Sequence, residues 1–144
     1  MPKNKGHFMA KKRVLVVDDE REFVDVVSEW LGTRGFDVLR AFNGIEGLER
    51  VYSDKPDLVI LDVAMPGMNG YDVCRKLKID ENFKNIPIVM LTAKFQPNDI
   101  NFGIGMGANV YLTKPLELET LLNTVNDLLK SKKRKSGISK VRAG

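Results

Sequence analysis

VLVVDDE, residues 14–20, runs four apolar side chains straight into two carboxylates. The same juncture recurs at LVILD (58–62), IVMLT (88–92) and VYLTKP (110–115), so that four separate apolar runs each end on an ionisable or hydroxyl side chain. Their nearly continuous Val, Ile and Leu content, without polar alternation, is that of strands covered on both faces, as in a parallel sheet. The carboxyl ends of parallel strands lie along one edge, which is where open α/β sheets bind ligands. Asp18, Asp19, Asp62, Thr92 and Lys114 then meet in one crevice. Three carboxylates, a hydroxyl and an ammonium suit a divalent cation together with a phosphoryl group.

Outward from these runs, strand and helix signals alternate five times between Val14 and Leu129, with a further short run at Asp37. Phe23, Val26, Val27, Trp30 and Leu31 mark a first helix. Ile45, Leu48 and Val51 mark a second, opened by Asn43 as its cap. Val73, Cys74 and Leu77 mark a third. The last is the clearest, because Leu118, Leu121, Leu122, Val125, Leu128 and Leu129 follow i, i+3, i+4, i+7 spacing. Between the fourth and fifth runs, Pro97 fits a first helical turn, but Gly103 and Gly105 each cost about 1 kcal/mol relative to Ala. A short, frayed or mobile segment is expected from Pro97 to Gly107. Five βα units imply right-handed crossovers and an α/β doubly wound sheet with helices on both sides.

The 144 residues carry 23 Lys and Arg against 19 Asp and Glu. That excess is confined to the ends. Residues 14–129 hold all 19 acids but only 11 of the bases, a net of −8, while the other 12 bases lie in the two termini. An acidic body with basic tails is expected, with residues 1–12 a flexible leader, 13–130 the folded domain and 131–144 a flexible tail. Met9-Ala10 reads as an internal start. The tail has seven basic residues counting Lys130 but no aromatic, so a solvated tail is expected and direct nucleic-acid binding is not. The single cysteine, Cys74, excludes an internal disulfide and fits a reducing, cytoplasmic setting. No apolar stretch approaches the roughly 18 residues of a membrane span. The only histidine, His7, lies in the leader, which argues against metal ligation or phosphotransfer by this chain's own imidazole.

Any one of the site residues alone has an ordinary explanation: a solvated loop carboxylate, a surface lysine, a half-buried strand tyrosine. Together they do not. Asp18 and Asp19 beside Asp62 would repel one another unless a cation neutralised them, and hard oxygen donors in a small open site favour Mg2+. Lys114 can pair with a phosphoryl oxygen, Thr92 can donate to one, and the Lys114–Pro115 bond is a candidate cis peptide that aims the lysine.

VLVVDDE, LVILDVAMPGMNG (58–70), IVMLTAK (88–94) and GANVYLTKPL (107–116) together resemble the receiver domain of bacterial two-component response regulators, over essentially Val14 to Leu129 and in the family's order and spacing. The resemblance implies a flavodoxin-like (βα)5 three-layer sandwich with strand order 2-1-3-4-5. It implies a single-domain, chemotaxis-regulator-like signalling switch, not an enzyme in the ordinary sense, which promotes only its own phosphorylation and dephosphorylation. Asp62 takes the place of the phosphoacceptor, supplied by a sensor histidine kinase or a histidine phosphotransfer protein. Asp18, Asp19, Asp62 and the backbone carbonyl of Ala64 take the places of the Mg2+ ligands, with Mn2+ as a substitute. Thr92 and Lys114 match the pair that grips the phosphoryl oxygens, and Tyr111 matches the aromatic that turns inward when the threonine moves. The output surface would be the fourth helix, fifth strand and fifth helix, acting on a downstream protein as a monomer or a phosphorylation-dependent homodimer. The alternative is the receiver fragment of a longer DNA-binding transcriptional regulator. A magnesium-dependent phosphatase would use a second acid two residues after the nucleophile, where this chain has Ala64.

Two departures from the family pattern stand out. Ala64 and Lys94, each two residues past a site residue, replace groups that orient or admit an attacking water, which implies a long-lived phosphoform. Asn109 and Val110 replace an acidic pair before the aromatic at 111, which bears on dimer contacts through the fifth strand.

Overall fold

The computed structural model describes residues 10–93, 107–130 and 140–141. Strand β1 (Arg13–Val17) leads into helix α1 (Arg21–Gly32), β2 (Asp37–Ala41) into α2 (Gly44–Asp54), and β3 (Leu58–Asp62) into α3 (Gly70–Lys78). Then come β4 (Ile88–Thr92), β5 (Val110–Thr113), α4 (Leu118–Lys130) and a two-residue strand, β6 (Lys140–Val141). The expected frayed segment falls almost wholly on residues outside those described, as do Lys94 and His7.

All pairings are parallel, in the order β2-β1-β3-β4-β5-β6. The first five strands therefore have the flavodoxin-like order expected from the sequence. The sixth was not foreseen. Lys140 and Val141 lie opposite Val110 and Tyr111, on the side of β5 away from β4, where a strand edge offers backbone groups for pairing.

Why the runs are apolar throughout follows from the two cores. Leu15, Val17, Val59, Leu61, Ile88, Met90 and Tyr111 point to one face and pack with Leu48 and Val51 of α2 and Val73, Cys74 and Leu77 of α3. Their alternates Val14, Val16, Leu58, Ile60, Val89, Leu91, Val110 and Leu112 point to the other, against Val24, Val27 and Leu31 of α1 and Leu121 and Val125 of α4. With a strand period of two, both alternating sets must be apolar when helices cover both faces. The result is a three-layer sandwich.

Two helix assignments differ from the spacing. Val26 is 54% exposed and Ile45 58% exposed. The buried stripe of α1 is Val24, Val27, Ser28 and Leu31, and that of α2 is Gly44, Gly47, Leu48 and Val51. Val26 is two positions, about 200° of helix, from Val24. Asn43 caps α2 as expected, its side chain accepting from the Glu46 amide at 2.9 Å. Cys74 is buried in the core as a packing residue, and burial pushes its thiol up to about 11, which disfavours the thiolate. No helix among the described residues is long and apolar enough to cross a membrane.

Candidate functional site

Register brings the strand ends together. Val17 pairs with Leu61, so Asp18 and Asp62, one residue further, end level with one another. Asp62 pairs with Leu91 and Thr92 with Thr113, which sets Thr92 and Lys114 at the adjoining tips of β4 and β5. The Lys114 amide donates to the Thr92 carbonyl at 2.7 Å, and the Lys114–Pro115 peptide is cis.

From that position the Lys114 ammonium reaches back over the sheet edge. Its Nζ lies 2.7 Å from Asp18 Oδ2 and 3.3 Å from Asp62 Oδ1. It also lies 3.1 Å from Glu20 Oε1 and 4.5 Å from the centre of the Phe23 ring. Asp18 is wholly buried, Asp62 and Thr92 nearly so, and Asp19 is exposed. One carboxylate oxygen from each of Asp18, Asp19 and Asp62 lies within 4.8 Å of the others, a group able to hold a metal ion.

The loop after β3 holds Asp62 from the other side. The Val63 amide donates to the Leu91 carbonyl at 2.8 Å, and the Gly70 amide to the Val63 carbonyl at 2.9 Å. Gly67 takes φ +76°, and Asn69 with Asp72 forms a reciprocal cap on α3. A Cβ at Gly70 would run into the Asp62 carbonyl oxygen. Glycine is needed at that point because helix and strand end touch backbone to backbone. Ala64 is exposed on this loop.

Electrostatics follow from burial. Removal from water, then the neighbouring Asp18 charge, pushes the Asp62 carboxyl up to about 6. Burial also raises Asp18, partly countered by its bond to Lys114. For Lys114, burial disfavours the ammonium, yet the bond to Asp18 and the charges of Asp62 and Asp18 outweigh it, and the pKa lies above the ordinary lysine value. Three carboxylates around one ammonium, with Asp19 beside them, leave a surplus of negative charge in a partly desolvated crevice, which a cation relieves.

Tyr111 stands apart from the acids. Its side chain is fully buried, and its hydroxyl lies 2.9 Å from that of Tyr71 in the first turn of α3. Glu20, Phe23 and Tyr71 were not picked out as site residues from the sequence. For Glu20 a signal existed, since it directly follows the two aspartates. Tyr71 sits 40 residues from its partner with no pattern linking them.

The chain matches the family model described as response regulator receiver domain over residues 14–126. It is 40% identical over 117 residues to Protein PilH of Pseudomonas aeruginosa, covering 81% of this chain and 97% of PilH. It is 41% identical over 118 residues to the DNA-binding dual master transcriptional regulator RpaA of Synechocystis, covering 82% of this chain but only 49% of RpaA. The structure superposes on that of the Vibrio cholerae chemotaxis protein CheY4 with a TM-score of 0.78 and 35% identity, over 82% of this chain and 98% of the other. With strand order, the gathered acids and the family match in agreement, the chain belongs to the response regulator receiver domain family, and it is a signalling switch of that kind, not a conventional enzyme.

Proposed function

We propose that Asp62 is the phosphoacceptor, taking a phosphoryl group from the phosphohistidine of a sensor kinase or phosphotransfer protein. The observation that carries this is the approach of Lys114 Nζ to 3.3 Å from Asp62 Oδ1. It sets an ammonium beside the oxygen at which new negative charge would accumulate. Asp62, with a pKa of about 6, is mostly ionised at neutral pH, as a nucleophile must be. One of its oxygens attacks phosphorus, the P–N bond to the donor imidazole breaks, and an acyl phosphate forms. Lys114 then exchanges a carboxylate partner for a phosphoryl oxygen, and the Thr92 hydroxyl donates to another.

The carboxylates fit a hard divalent cation, and we assign it as Mg2+, with Mn2+ as a substitute, held by Asp18, Asp19, Asp62 and the Ala64 carbonyl. When bound, it would supply charge neutralisation for the acids and the incoming phosphoryl group. Withdrawal of Thr92 toward the phosphoryl group would bias Tyr111 and, through it, the surface made by the segment between β4 and β5, by β5 and by the last helix, α4, where a downstream protein in the cytoplasm would read the state. Ala64 offers no polar side chain to orient a hydrolytic water, which favours a long-lived phosphoform. In a second reading, favoured by the RpaA match over about half of that DNA-binding protein, the output is a DNA-binding unit. The chemistry at Asp62 is the same in both.

Intact-mass measurement after incubation with acetyl phosphate and magnesium tests the proposal. A phosphate adduct is expected on the wild type and not on Asp62→Asn. An equal adduct on both, or none on the wild type, would show that Asp62 does not carry the chemistry.

A further inference from the structure

We infer that Glu20 is a positioning residue for Lys114, holding the ammonium at the solvent rim of the crevice against its transfer to a phosphoryl group on Asp62. The inference rests on Asp62 being the phosphoacceptor. Glu20 occupies the N-cap position of α1, yet its side chain caps nothing. Its backbone is fixed instead by the bond from its amide to Asp18 Oδ1 at 3.0 Å, and the side chain extends to Lys114 Nζ at 3.1 Å. An ammonium has three N–H donors. Here three carboxylate oxygens, from Asp18, Glu20 and Asp62, surround it within 3.3 Å. The Phe23 ring covers a further side at 4.5 Å.

A phosphoryl oxygen can bond to Nζ only if one of those partners gives way. Asp18 is wholly buried and makes the shortest contact, 2.7 Å, so it stays. Asp62 carries the incoming group. Glu20 remains: its side chain is 67% exposed, free to swing into water, and its charge faces the crevice that a phosphoryl dianion must enter. Competition for the ammonium and repulsion of the dianion act in the same direction. Asp18 keeps the lysine at the site when Glu20 lets go, so loss of the Glu20 contact frees one donor without losing the ammonium.

The test is calorimetric titration with the phosphoryl analogue beryllofluoride in saturating magnesium. Wild type, Asp62→Asn, Glu20→Gln and Asp25→Asn are compared. Asp25 is another exposed acid of α1, bonded to Arg40 and not to Lys114, so its variant makes the same charge change without touching the ammonium. Glu20→Gln is expected to bind about three-fold more tightly than wild type, on the scale of an exposed ion pair, with the gain shrinking as salt is raised. Asp25→Asn is expected to bind as wild type does. Equal or weaker binding by Glu20→Gln, or an equal gain in Asp25→Asn, overturns the role of Glu20 while leaving Asp62 in place. Wild-type binding that survives Asp62→Asn, or no wild-type binding at all, overturns the phosphoacceptor assignment and this inference with it.

Discussion

Asp62 pays for its position in stability, and the sign of that effect can be worked out. Its carboxyl is raised from 3.8 to about 6 in the folded protein, so the folded state prefers the protonated acid. The associated stability is fully present below about pH 4 and is lost as pH rises through about 6. Asp62→Asn, which mimics the neutral form, is expected to be more stable than wild type above pH 6, by an order of 1–3 kcal/mol. That difference should close below pH 4 in urea melts run across the range. Magnesium should reverse the ranking by stabilising the wild type more than the variant, and more at pH 8 than at pH 5, where protons compete for the same oxygens. At this scale Asp18, Asp62, Thr92 and Lys114 were legible because each terminates an apolar run, and strand ends converge by topology. Glu20, Phe23 and Tyr71 were not, because their roles depend on side-chain reach between elements, which no run or period encodes.

Among elements, the junction of β3 with α3 is tightly constrained. A methyl group at Gly70 meets the carbonyl oxygen and carbon of Asp62 and the Cα of Val63, all backbone atoms that cannot rotate aside. Gly70→Ala is therefore expected to destabilise the fold by about 1–3 kcal/mol. It should also reduce the rise in melting temperature produced by magnesium, since Asp62 moves with its own backbone. Differential scanning calorimetry with and without the metal reads both. The strands and the capped start of α2 were readable from period and cap chemistry. The outward turn of Val26 and Ile45 was not, because an apolar side chain on a helix shows its face only once the neighbouring stripe is fixed.

At the level of the whole molecule, the sheet closes its β5 edge with a segment of its own chain. Sequence alone placed a solvated tail there, since basic residues dominate residues 130–144 and strand pairing with a distant edge leaves no local signal. Removal of residues 131–144 is expected to change global stability by less than about 1 kcal/mol, because β6 contributes only two residues. Amide hydrogen exchange of β5 should nonetheless quicken. Unchanged exchange at 110–112 would mean that the pairing with Lys140 and Val141 does not persist in solution.

The Tyr71–Tyr111 hydroxyl contact completes a closed circuit through the molecule. The Asp62 backbone lies against Gly70; the next residue, Tyr71, meets the Tyr111 hydroxyl; the chain runs on from Tyr111 through the end of β5 to Lys114, whose ammonium returns to Asp62. A loop of this kind has two arms joining any pair of its members. Cutting it at the phenols, as in Tyr71→Phe, removes the hydroxyl contact and is expected to reduce two routes between acid and tyrosine to one.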